Sequence, residues 1–186
     1  RISEIIPRGG VILDLGQGCG LLANLLAAQS TRRSVIGMDY DAEKVAAARK
    51  SAVAPERMTS EVRNILDGEF PAADTVLLID VLHYWPPADQ EKILRKANAC
   101  LKKGWRLVMR ESCQDGSLKS KGVRFAELFA TFIGHNKTRH GVIMNSRGNY
   151  LELLKRTGFN SVQTRDDLGW RSNIVFICGV DVPENN

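Results

Sequence analysis

A chain of 186 residues, 44% of them apolar, can bury one substantial core but is short for two independently stable domains, so residues 1–186 are read as one domain. The formal charge of +5 is uneven: residues 102–171 carry 14 Lys/Arg against six Asp/Glu, while residues 1–101 carry 12 against 13. The basic excess is either a solvated face or a site for an anionic substrate or partner, and four scattered cysteines with no C-x-x-C suggest neither a zinc cluster nor a disulfide framework and fit a reducing cytoplasm.

No apolar run approaches the roughly 20 residues that span a bilayer, so no membrane insertion is expected of this domain. The first residues, Arg1-Ile2-Ser3-Glu4, lack the form of a signal peptide. The chain opens without methionine almost directly at its first strand, as expected of a piece of a longer protein, whose upstream part would be free to hold substrate contacts or a membrane tether.

Apolar runs alternate with helical spacing along the chain. Residues 11–15 read as a first strand, and Leu21, Leu22, Leu25 and Leu26 then give helical spacing to Ser30. A second strand follows over 34–39. Asp41 caps a helix running to about Ala54, with Pro55 just beyond. Residues 58–63 suggest a third strand and 75–81 a fourth, since every residue of the latter except Asp80 is β-branched or leucine. Residues 88–101 form a helix with Asp89 and Glu91 in its first turn and Lys102 and Lys103 at its end, stopped by Gly104. Strand five covers 105–109. Phe125, Leu128, Phe129, Phe132 and Ile133 then mark an amphipathic helix ending at Gly134, 150–157 another stopped by Gly158, and 161–165 with 173–178 a closing strand pair around Gly169.

This alternation predicts an α/β fold: a three-layer α/β/α domain around a seven-stranded, mostly parallel sheet with a C-terminal antiparallel strand. Such sheets bind ligands beyond the carboxyl ends of their strands. Asp14 with Gly16, Gly18 and Gly20, then Asp39, Asn64, Asp80 and Glu111 stand at those ends, so distant positions converge on one rim. A dinucleotide site would use G-x-G-x-x-G; here the spacing is G-x-G-x-G, and Asp14 would place a negative charge beside the phosphates. A carboxylate there suits a cation instead. S-adenosylmethionine supplies one through its sulfonium and α-ammonium, and its ribose hydroxyls match Asp39.

Asp14-Leu-Gly-Gln-Gly-Cys-Gly20 and Gly37-Met-Asp39-Tyr-Asp resemble the first motif and the acidic loop of class I S-adenosylmethionine-dependent methyltransferases, whose sheet is Rossmann-like. The resemblance continues through Arg63-Asn-Ile-Leu-Asp67, Asp80-Val-Leu-His-Tyr84 and Leu101-Lys-Lys-Gly-Trp-Arg-Leu107 and so covers nearly the whole chain. It implies that Gly16, Gly18 and Cys19, with Gly20 closing the motif, line the methionine part. Asp39 and Tyr40 would meet the ribose and adenine, Asn64 and Ile65 the adenine edge, and Asp80 with Val81 the methyl-donor side. Asn64 departs from the usual aspartate. Arg110-Glu111, Gly134-His-Asn-Lys-Thr-Arg139 and Trp170-Arg-Ser-Asn-Ile174 are further similar to bacterial methyltransferases associated with aryl-polyene pigment and related lipid-like biosynthesis. That implies an aromatic or acyl acceptor, presented on an acyl carrier protein, and the basic residues of the second half add a preference for an anionic one.

Methyl transfer needs alignment and, for a hydroxyl nucleophile, a base. His83, on the cofactor rim, is the candidate base, set against the plain alternative that it only hydrogen-bonds the start of the next helix. Tyr84 and Trp85 are candidates to stack on the acceptor, and packing of the loop beside Pro86-Pro87 is their alternative. Glu111 is read as supporting the site or holding Arg110. Residues 112–145 are read as a substrate-side insertion or lid, in which Lys137 and Arg139 between Gly134 and Gly141 are substrate contacts, whereas Lys119 and Lys121 read as solvated. His135 and His140 make no metal site, for want of a third ligand at useful spacing.

Two other functions compete with a small-molecule methyltransferase. An RNA or protein methyltransferase would use the basic half, but base-amino methylation needs an acid or amide followed directly by two prolines and an aromatic, and Asp80 is followed by Val-Leu-His. No RNA-binding appendage is evident, so nucleic acid is not the expected partner. A non-catalytic S-adenosylmethionine-binding module is the second.

Overall fold

The computed structural model describes residues 2–113, 143–166 and 173–179. Seven strands form one sheet in the order β3-β2-β1-β4-β5-β7-β6. They are β1 Gly10–Leu15, β2 Arg33–Asp39, β3 Met58–Val62, β4 Ala73–Ile79, β5 Leu101–Ser112, β6 Ser161–Asp166 and β7 Asn173–Gly179. The first five run parallel, and β7 lies antiparallel between β5 and β6, as the sequence implied. The helices are α1 Ile2–Ile5, α2 Leu21–Gln29, α3 Ala42–Lys50, α4 Pro87–Cys100 and α5 Arg147–Arg156.

Strand alternation divides the core in two. Leu13 and Leu15, Val76 and Leu78, Leu107 and Met109 turn to the face covered by α4, through Ile93, Leu94 and Ala97, and by α5, through Tyr150, Leu153 and Leu154. Ile12, Val35, Leu77, Val108 and Val175 turn to the other face, where Ala23 and Leu26 of α2 and Ile6 meet them. Strands buried on both faces read as continuous apolar runs, which is why β1 and β4 are plain in the sequence.

The caps are local. Asp41 accepts from the Glu43 and Lys44 amides at the start of α3, and Ser146 from the Asn149 amide at the start of α5. Helix α3 ends at Lys50 rather than near Ala54, because the Val53 amide is taken by Asn24 Oδ1 of α2 at 2.9 Å. Lys102 and Lys103 do not finish α4 either. The chain passes directly into β5, where Leu101 pairs with Ala73 but Arg106 with Thr75, and Gly104, at φ 82°, lies in this bulge rather than stopping a helix. Lys102 Nζ reaches Asp74 Oδ1 at 2.9 Å across the adjoining strand.

Two features escape the apolar pattern. Helix α1 was not anticipated, and Arg33 is a buried cation held without a carboxylate among the described residues. Its guanidinium donates to the carbonyls of Ile6, Pro7 and Leu26 and to Gln29 Oε1, which ties the first residues to the end of α2. Such a group is tolerable inside because its donors are met.

Candidate active site

The carboxyl ends of β1 and β2 build a cradle. Beyond β1 the backbone turns through Gly16 at φ 74° and Gly18 at φ 56°, a conformation that side-chain-bearing residues rarely adopt. The Gly16 and Gln17 amides donate to the Met38 carbonyl at 2.7 and 3.1 Å, which fastens the turn to β2. Asp39 fastens it again, since Oδ2 accepts the Gly18 amide at 2.9 Å and Oδ1 the Asp41 amide at 2.9 Å. Each oxygen keeps acceptor capacity for a ligand hydroxyl. A Cβ on Gly18 would meet nothing within 4 Å, so the turn presents bare backbone to open space among the described residues.

Asp14 lies beneath this turn, 3% exposed, and its Oδ2 has no hydrogen-bond partner among the described residues. Burial, reinforced by the charge of Asp39, pushes its carboxyl up to about 7. An orphaned buried carboxylate costs free energy until a cation or donor meets it. The residues of the turn thus fit a cationic nucleoside better than a pyrophosphate: two carboxylates and bare glycine backbone.

Gln17 is a positioning residue that the sequence reading missed. Its side chain lies flat against Gly37 of β2 while Oε1 accepts from Ser60 Oγ at 3.1 Å. A Cβ on Gly37 would fall 1.7 Å from Gln17 Oε1. Gly37→Ala is therefore expected to cost roughly 1–3 kcal/mol, the usual range for overpacking. Chemical denaturation would read this loss, and an unchanged midpoint would show that Gln17 moves freely.

The second half of the site forms where β4 meets β5. Asp80, at φ 58°, turns the chain into a single 3-10 turn over Leu82–Tyr84. Val81 packs so closely on Gly16 that a Cβ there would lie 2.6 Å from Val81 Cγ2, which joins the two halves. Glu111 is fully buried: Oε1 accepts the Val81 and Leu82 amides at 3.0 and 2.7 Å, and Oε2 meets His83 Nδ1 at 2.6 Å. A carboxylate at Nδ1 fixes that nitrogen as the donor and leaves Nε2 as the basic atom. The expectation that Glu111 holds Arg110 is corrected here. Adjacent strand residues point to opposite faces, so Arg110 pairs with Asp80 while Glu111 holds His83.

The other candidates fall around these two halves. The Tyr84 ring lies 4.0 Å from the His83 ring, and Trp85 packs on the core while its carbonyl accepts from Gln90 Nε2 at 2.9 Å. Tyr40 and Cys19 are exposed on the rim. Asn64 Oδ1 accepts the Leu66 amide at 2.9 Å, so the residue shapes its own loop. Ile65 belongs to the core, and its carbonyl accepts from the buried Lys96 at 2.7 Å. The Ile143 amide donates to the His83 carbonyl at 2.8 Å, bringing the end of the 112–145 segment to the site. Lys137 and Arg139, together with Lys119, Lys121, His135, His140 and the helix expected over 125–133, lie outside the described residues, as do Gly169 and Trp170. No described helix is long and apolar enough to cross a membrane.

Comparison with known proteins finds methyltransferases over most of the chain. An inositol 4-methyltransferase of Mesembryanthemum crystallinum is 27% identical over 156 residues, covering 82% of this chain and 40% of that protein. The crystal structure of the S-adenosylmethionine-dependent methyltransferase SibL is 25% identical with a TM-score of 0.74, over 92% of this chain and 50% of that one. An O-methyltransferase family protein from Burkholderia thailandensis superposes with a TM-score of 0.80 at 21% identity, over 98% of this chain and 55% of that one. The chain thus spans about half the length of these relatives or less. The sequence profile of the methyltransferase domain matches residues 12–104, half of the chain, from β1 through the glycine turn, the acidic loop and the His83 turn into β5, and the chain belongs to that methyltransferase domain family.

Proposed function

We propose that this domain binds S-adenosylmethionine on the Asp14–Gly20 turn and Asp39, and methylates a hydroxyl of a small acceptor with His83 as general base. The observation that carries the reading is the buried His83–Glu111 pair at 2.6 Å, joined through Val81 and Gly16 to the cradle. When bound, the cofactor supplies an electrophilic methyl group on a sulfonium. Asp14 meets the α-ammonium with its orphaned oxygen, and Asp39 takes the ribose hydroxyls. His83 Nε2 accepts the acceptor's proton as the oxygen attacks. Glu111 holds the ring in the required tautomer and stabilises the imidazolium that forms, and its own position is fixed by two backbone amides.

A base of this kind is needed for a hydroxyl and not for an amine that is already neutral. The names of two relatives, an inositol methyltransferase and an O-methyltransferase family protein, support an oxygen acceptor. An aromatic or acyl acceptor, held on a carrier protein, is what the resemblance implies, and an anionic one is our reading of the basic residues of the 112–145 segment. The test is to incubate the protein with S-adenosylmethionine and matched sets of phenols, alcohols and amines and to weigh the products. Methylated hydroxyl compounds are expected. Methylation confined to amines would overturn the role given to His83.

A further inference from the structure

The cofactor named above ends in an amino acid, with an ammonium and a carboxylate on one carbon. Asp14 accounts for the ammonium, but neither Asp39 nor the His83–Glu111 pair offers anything to the carboxylate. The face of the sheet that carries Asp14 supplies the missing charge. Asp14 follows Ile12 by two residues and Asp39 follows Val35 by four, so both share the α2-covered face with those residues. Arg110 follows Val108 by two on the same face and lies in register between Ile79 of β4 and Val175 of β7. It therefore stands at the carboxyl rim, toward α2, on the opposite face from Glu111.

Arg110 is held there by Asp80. Its Nε donates to Asp80 Oδ1 at 3.1 Å and its Nη2 to Oδ2, and the Asp80 amide donates to the Arg110 carbonyl at 2.9 Å. Asp80 itself adopts the left-handed conformation at φ 58° without being glycine, and such outliers persist where the surrounding structure imposes them, often at ligand sites. The next residue, Val81, rests on Gly16 of the cradle. Both side chains are partly open, 26% for Arg110 and 33% for Asp80. A partly exposed ion pair contributes little net stability, so Asp80 can release the guanidinium to another carboxylate at small cost. The planar fork of arginine suits that exchange.

We propose that Arg110 receives the α-carboxylate of the cofactor, with Asp80 presenting the guanidinium before the ligand arrives and then turning toward the α-ammonium beside Asp14. The pair thus complements a zwitterion, and the cofactor site selects for an intact amino acid end. This rests on the cofactor reading above.

The test compares two ligands that share the adenosyl thioether: S-adenosylhomocysteine, which carries the α-carboxylate, and 5′-methylthioadenosine, which lacks the amino acid end. In calorimetric titrations, Arg110→Met is expected to weaken S-adenosylhomocysteine about 10-fold or more while shifting 5′-methylthioadenosine by less than about 2-fold. Arg110→Lys, which keeps the charge without the fork, should fall between wild type and Arg110→Met, and it serves should the methionine variant fail to fold. Equal weakening of both ligands, or of neither, would overturn the proposal while leaving the cofactor reading standing. Wild-type protein that binds neither ligand would overturn both.

Discussion

Replacing His83 with alanine is expected to lower turnover on hydroxyl acceptors by about 10²–10⁴-fold, the range that a positioned general base supplies, with cofactor affinity nearly unchanged. The separation follows from the architecture, in which the His83–Glu111 pair is distinct from the side chains proposed to hold the cofactor, namely Asp14, Asp39 and Arg110. Glu111→Gln should lose nearly as much activity. An amide keeps the volume but forfeits the charge that stabilises the imidazolium, so the double variant should be scarcely worse than either single one, because the two side chains act as a unit. Steady-state kinetics with labelled cofactor, alongside calorimetry with S-adenosylhomocysteine, would read both quantities. Equal kcat in the His83 variant would leave His83 as a buried hydrogen-bonding residue of the turn.

The second large effect concerns Asp14, where stability and binding are expected to move in opposite directions. Its carboxyl is raised from an ordinary 3.8 to about 7, first by burial and then by Asp39. The folded protein therefore keeps a proton that the unfolded chain releases near pH 4. Stability from this group is fully present below that value, declines as pH rises through about 7, and stays low above it. Asp14→Asn removes the buried charge, so the ligand-free variant should melt higher than wild type at pH 8, by on the order of 2 kcal/mol or several degrees, with the difference vanishing toward pH 4. The same variant should bind S-adenosylhomocysteine roughly 10–100-fold more weakly, because the ammonium loses its ionised partner. In wild type, binding below about pH 7 should release a proton, visible as a dependence of the calorimetric enthalpy on buffer. A variant that is less stable at pH 8 and binds normally would remove Asp14 from the role given to it.

The parts of this fold that were legible share a physical origin. The doubly buried strands, the glycine turn and the acids at strand ends are short-range patterns, and the topology rules for parallel sheets convert them into a convergent rim. What was not legible depends on pairs distant in sequence. Glu111 and His83 are 28 residues apart, and nothing local to either says that one orients the other. Alternation along β5 was the available signal, since it places Glu111 on the face opposite Arg110, and read that way it separates the two partners. Gln17 against Gly37 and the cage around Arg33 are likewise fixed by tertiary approach and not by pattern. The end of α3 was misjudged because Asn24, on another helix, captures the amide that would have continued it.

Asp14, the glycine turn and Asp39 are proposed to cradle a cationic nucleoside and not a phosphate-bearing one. The most direct test is calorimetric titration of the wild-type protein at pH 8 with S-adenosylmethionine and, separately, with NAD. Saturable one-to-one binding of S-adenosylmethionine, weakened in Asp39→Ala, is expected, with no heat of binding from NAD. Saturable binding of NAD without binding of S-adenosylmethionine would contradict this assignment.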